Sequence, residues 1–178
     1  TYNYDPSDSE AVSVYPDYEG ESFVNRHEAY WGLGAVHLAS SLPGSLSTLK
    51  NQNETPDTAV VFLGGNDIFH DGSVTAETVR DRIKTIVDTL QGDSGSNGNP
   101  NISVLLVSIL PRFTIDGSGN YTVPVTQSDH FTDINNLLES LATAESTASS
   151  TVTYLDLATT FNNTADVFYD GVHPNGTG

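Results

Sequence analysis

Two stretches of this chain carry residue types that could do chemistry together. Near the C-terminus, Tyr169-Asp170-Gly171-Val172-His173-Pro174 sets an Asp and a His three residues apart in a short turn closed by Gly171 and Pro174. At that spacing the two side chains can face each other at hydrogen-bond range. The carboxylate then fixes the imidazole tautomer and leaves the other ring nitrogen free as a general base. Asp-Gly turns followed by Pro are also ordinary loop chemistry, so the meaning of the pair depends on what else the chain supplies. Well upstream, Thr58-Ala59-Val60-Val61-Phe62-Leu63 is a continuous apolar, β-branched run followed at once by Gly64-Gly65-Asn66-Asp67. That pattern predicts a buried parallel strand ending in a loop, and open α/β sheets place their sites at the carboxyl ends of strands. The glycines allow a tight backbone turn, and Asn66 can offer a side-chain amide N–H to a developing oxyanion.

In this order and context, the G-x-N-D after a strand and the D-x-x-H-P near the C-terminus resemble blocks III and V of the SGNH (GDSL-type) hydrolases. The region Asn25 to Ala35 resembles block II, in which a loop glycine donates its backbone N–H to the oxyanion; Gly32 matches that position best, with Gly34 as the alternative. His27 and Glu28 resemble a His-Glu pair of carbohydrate-esterase members, and Trp31 is placed to line a substrate cleft. The resemblance implies a serine esterase that removes acyl groups, above all acetyl, from carbohydrate esters without a cofactor. His173 would be the base, Asp170 its orienting carboxylate, and Asn66 and Gly32 the oxyanion donors. Block I, a Gly-Asp-Ser just after the first strand that carries the nucleophile, has no counterpart here. Ser9 in Asp8-Ser9 is its only echo, with neither an apolar strand before it nor a glycine in place. The rival reading is a non-catalytic extracellular binding or structural module on a degenerate fold of this type.

The elements that must position these residues follow from periodicity. A helix is expected to lead from the block II region through Leu42. Thr75 to Leu90 places Val79, Ile83, Ile86, Val87 and Leu90 on one stripe, the mark of an amphipathic helix. Gln91 to Pro100 is a Gly/Ser/Asn/Asp linker. Ile102 to Leu110 is the next buried strand, and residues 112–126 form a loop with a turn at Asp116-Gly117-Ser118-Gly119. Asp129 to Leu141 or beyond is a second helix, and Val152 to Leu157 the last strand. Strand–helix alternation predicts a parallel, doubly wound α/β sheet, and the resemblance implies its flavodoxin-like version. A strand with its crossover helix needs on the order of 25–40 residues. The chain is therefore expected to be a single domain over residues 1–178 that lacks the first central strand, incomplete at its N-terminus and conceivably at its C-terminus. A further polypeptide segment, a neighbouring copy, or the run Ala11 to Tyr15 would then complete the sheet beside 58–63.

Composition narrows the partners. At 178 residues the chain is long enough for a sizeable core. Six Lys plus Arg against 23 Asp plus Glu give a net charge of −17, a field that repels nucleic acid and anionic membranes. There is no Cys and no apolar run of the roughly 20 residues that a membrane span needs. His70 and Asp71 lack a second ligand pair at metal spacing, so they read as a polar rim and no metal is expected. The Lys-poor surface and the sequons at Asn53, Asn101, Asn120, Asn162 and Asn175 suggest a secreted, glycosylated protein. Asn101 opens an expected buried strand, where a glycan would fit poorly.

Overall fold

The computed structural model describes residues 32–71, 73–92, 95, 97–115, 117–118, 121–122 and 125–159. The chain forms two compact units, Thr1–Gly32 and Leu33–Gly178, and all the described residues except Gly32 lie in the second.

The apolar runs become a parallel sheet. Strands β1 (Thr58–Val61), β2 (Ser103–Val107) and β5 (Val152–Leu155) pair in the order β1-β2-β5, with Val60 opposite Leu105 and Leu106 opposite Tyr154. Because side chains alternate across a strand, this register puts Val61, Val104, Leu106 and Val152 on one face. That face joins a continuous core with the helices α1 (Ala35–Asn51), α3 (Ala76–Leu90) and α4 (Val125–Glu145). Helix α3 packs between α1 and α4. It begins where Thr75 Oγ1 accepts the Thr78 N–H at 3.2 Å, and its stripe Val79, Ile83, Ile86, Val87 and Leu90 is buried as the periodicity predicts.

Several elements differ from the sequence reading, among them α4, which begins at Val125 rather than Asp129. Helix α1 runs past Leu42 to Asn51, through Pro43. A proline inside a helix removes one backbone hydrogen bond, but Leu38, Leu42, Leu46 and Leu49 continue the stripe beyond it and all pack into or against the core. The expected loop at 64–67 is the start of a short helix, α2 (Gly65–His70). Within the expected loop 112–126, β3 (Thr114–Ile115) and β4 (Tyr121–Thr122) pair as a small antiparallel hairpin. The strands are also shorter than their apolar runs, because Phe62, Leu63 and residues 108–110 lie beyond the paired ladder.

Among the described residues no strand pairs with the outer edge of β1. On the sheet face away from the helices, Val60 and Phe62 are 64% and 52% exposed. The run Ala11 to Tyr15 lies outside the described residues. Asn101, expected at the mouth of a buried strand, is instead exposed two residues before β2, as is Asn53 at the end of α1.

The turn from β1 into α2 depends on Gly64, whose φ of 110° lies where side chains other than glycine are strained. A Cβ there would stand 2.6 Å from Ile109 Cδ1 and 2.9 Å from Val79 Cγ1, both in the core. Backbone strain of roughly 1–2 kcal/mol adds to overpacking of roughly 1–3 kcal/mol. Gly64→Ala is therefore expected to lower stability by about 2–5 kcal/mol in urea titration, whereas Gly44→Ala, which meets nothing within 4 Å, should not.

Candidate active site

The carboxyl end of β1 leads into Asn66, which the sequence marks for chemistry. Asn66 sits in the first turn of α2, directly after β1. Its Nδ2 donates to the Leu33 carbonyl at 3.1 Å. An amide nitrogen has two N–H groups; one held on Leu33 fixes the side chain, and the other can serve an oxyanion.

The next residue fixes that arrangement. Asp67 is buried, its side chain fully so. One carboxylate oxygen accepts the Ala35 N–H at 2.7 Å, and the other accepts from Arg82 Nη1 at 2.6 Å. Helix α1 has no side-chain cap of its own, so a carboxylate from α2 fills the place a capping residue would take and sits favourably at the positive end of the helix. A Cβ on Gly34 would come within 2.7 Å of Asp67 Oδ2; glycine leaves the room that lets the carboxylate reach Ala35. Asn66 and Asp67 thus clamp Leu33 and Ala35 from one side, and Arg82 of α3 holds the clamp from the other.

A cleft opens beside Asn66, lined by Phe69, Leu110, Pro111, Arg112 and Phe131 among others. Its far wall is positioned by Asn135 of α4, whose amide accepts the Ile109 N–H at 2.8 Å and donates to the Ile109 carbonyl at 3.0 Å. This continues strand-like pairing after β2 has lost its neighbour. The Arg112 guanidinium lies 3.5 Å over the Phe69 ring centroid. At the end of β2, Ser108 is wholly buried, and its Oγ accepts the N–H groups of Leu157 (2.9 Å) and Ala158 (2.8 Å). It thereby anchors the start of the segment that leads on to Asp170 and His173.

His173, Asp170 and Trp31 lie outside the described residues, as do Ser9, His27 and Glu28. Gly32 stands at a turn with φ 72°. His70 packs edge-on against Phe69, with ring centroids 5.2 Å apart. Asp71 is held below the ordinary carboxylate range by the hydroxyl and then the N–H of Ser73. Among the described residues no group of three His, Asp or Glu could hold a metal ion. Ser9 is not the only echo of block I: Gly92-Asp93-Ser94 spells the Gly-Asp-Ser tripeptide outright. In sequence it follows helix α3 rather than a strand. Asp93 and Ser94 themselves are not among the described residues.

The sequence profile described as the GDSL-like lipase/acylhydrolase family matches residues 7–178. The chain belongs to this family. Two solved structures share its fold, each at 22% identity and a TM-score of 0.65 over 88% of this chain. One is a serine-to-alanine mutant of an acetyl esterase, crystallised with an acetate ion. The other is a carbohydrate esterase of family 3 from Talaromyces cellulolyticus. The chain spans 65% of the first and 66% of the second. No curated protein matches it. Family and neighbours agree with the α/β, parallel-sheet architecture read from the sequence.

Removing one partner of a buried ion pair leaves the other charge uncompensated, at a cost of about 3–5 kcal/mol. Arg82→Met is expected to fall in that range by urea titration, and to cost clearly more than Arg80→Met, whose partner Asp81 is exposed. Ser108→Ala should cost about 1–3 kcal/mol, because two backbone N–H groups lose one acceptor.

Proposed function

We propose that the protein is a serine ester hydrolase that removes acyl groups, chiefly acetyl, from carbohydrate esters. The observation that carries this reading is the Asn66 amide at the carboxyl end of β1, pinned to Leu33 and backed by the Asp67–Arg82 pair. A donor fixed in advance of the reaction stabilises developing charge without reorganisation, and one such donor is worth about 10²–10³ in kcat. Family membership supports ester hydrolysis. The two fold neighbours, an acetyl esterase and a carbohydrate esterase, support the acetyl and carbohydrate part.

In the mechanism, His173 takes the proton of the serine as its oxygen attacks the ester carbonyl, with Asp170 orienting the imidazole. The tetrahedral oxyanion is held by Asn66 and the Gly32 N–H. Collapse expels the sugar alkoxide, which His173 protonates to the alcohol, and water then releases the acid by the reverse proton path. Substrate binding is assigned to Trp31. The attacking serine is the residue that the family's Gly-Asp-Ser block carries. The abundance of Ser, Thr and Asn and the sequons support action outside the cell.

The test is hydrolysis of 4-nitrophenyl acetate by the active protein. His173→Ala should lower kcat by about 10³-fold or more, and Asn66→Ala by about 10²–10³-fold with little change in KM. Ser9→Ala should leave the rate alone. Full activity in both the His173 and Asn66 variants would overturn the reading.

A further inference from the structure

The cleft beside Asn66 contains a cation that the proposed mechanism does not use. The chain carries six Lys and Arg among 23 Asp and Glu, and its cations in α3 are held by carboxylates: Arg80 by Asp81, Arg82 by Asp67, and Lys84 by Asp88 and Glu145. Arg112 differs. Among the described residues it pairs with no carboxylate, although the sequence offers carboxylates in large excess. Instead its guanidinium stacks 3.5 Å over the half-exposed Phe69 ring, in the cleft that Asn66 also lines.

Stacking occupies the face of a guanidinium and leaves its in-plane N–H donors free, in the fork that matches a carboxylate. The platform is also firmly placed. Phe69 lies on α2, three residues after Asn66, and Arg112 follows the Ile109 backbone that Asn135 grips. The ring and the backbone that carry the guanidinium are thus both placed by the fold, in the cleft that Asn66 lines. We propose that Arg112, held on Phe69, is a specificity-determining residue that receives a carboxylate on the alcohol part of the substrate, so that the preferred substrates are esters of acidic sugars such as uronic acids. This rests on the reading that Asn66 marks the ester carbonyl.

The net charge of −17 acts against anions at long range, whereas Arg112 acts at contact. At physiological ionic strength the Debye length is about 8 Å, which screens the distant carboxylates and spares a direct pair. Charge-assisted, two-pronged hydrogen bonds are the strong ones, and part exposure reduces their worth.

The test compares two probes of one shape, 4-hydroxybenzoate and its neutral analogue 4-hydroxybenzamide, by NMR titration of the full chain at physiological salt. The carboxylate is expected to bind about tenfold more tightly. In Arg112→Gln the two should bind equally, and Arg112→Lys should keep part of the difference, since it retains the charge but not the fork. Equal binding by the unmodified protein, or an undiminished preference in Arg112→Gln, overturns the proposal. The corresponding acetates, 4-acetoxybenzoate and 4-acetoxybenzamide, separate the two readings. Preferential binding with neither acetate cleaved would count against ester hydrolysis and leave the subsite standing. Cleavage of both at equal kcat/KM would remove the subsite and leave ester hydrolysis standing.

Discussion

One buried carboxylate sets the geometry at the carboxyl edge of this sheet. Asp67 belongs to α2, but its two oxygens serve the first turn of α1 and a guanidinium on α3. A charged group with no exposed side-chain surface is tolerable only with donors on it, and here it has a backbone N–H and an arginine. That requirement works in both directions. The carboxylate needs α1 and α3 in place to be satisfied, and α1, with no cap from its own sequence, needs the carboxylate. Asn66 is bonded covalently to Asp67, so its position follows from the same balance. The donor proposed for catalysis is thus held by electrostatics one residue away.

The same principle recurs wherever the ladder of the sheet ends. Beyond the last paired residues of β2, backbone groups would lose their partners inside the protein, and buried unpaired groups are costly. Asn135 takes up both polar groups of Ile109, and Ser108 takes up two N–H groups from the chain that follows β5. At the opposite edge, Gln91 and Ser150 form a comparable tie: Gln91 donates to the Glu145 carbonyl and to Ser150 Oγ, and Ser150 donates to the Ile102 carbonyl. The carboxyl-edge ties differ in consequence, because the segments they fix form the cleft wall and lead toward Asp170 and His173. Sites gather at that edge of a parallel sheet partly because its loops must already be held by polar side chains.

What was legible in the sequence was whatever repeats. The β-branched runs at 58–63, 102–110 and 152–157 announced strands, and the stripe from Val79 to Leu90 announced α3 together with its buried face. Short and non-local features were not legible. Helix α2 has six residues, too few for a periodic pattern, and its start depends on a left-handed glycine that reads equally well as a loop. The local cost of Pro43 is visible in the sequence, while the reward from Leu46 and Leu49 depends on a core that the sequence does not display. Asn66 and Asp67 were visible as a motif, but the partners that give them meaning, Leu33, Ala35 and Arg82, are from 15 to 33 positions away. Asn135 had no signal at all: an Asn in the middle of a helix reads as solvent-facing until Ile109 is seen beside it.

Helix α3 shows which of these interactions matters. It carries three of the chain's six Lys and Arg, Arg80, Arg82 and Lys84, in an otherwise acidic protein. Lys84 bridges to Asp88 at 2.7 Å and to Glu145 of α4 at 3.1 Å, and Asp88 foremost raises its pKa. Its side chain is 42% exposed, and surface pairs of this kind contribute about 0–1 kcal/mol and weaken in salt. The hold of α3 on α4 must therefore come mainly from apolar contact, through residues such as Ile83, Ile86, Ile134 and Leu138. Arg82 is the exception, because its partner is buried and cannot exchange it for water. By magnitude, then, α3 is a hydrophobic hub with one consequential charge. That charge points toward Asp67 and the Asn66 turn, so high salt should loosen the periphery of the helix layer long before it disturbs the candidate site.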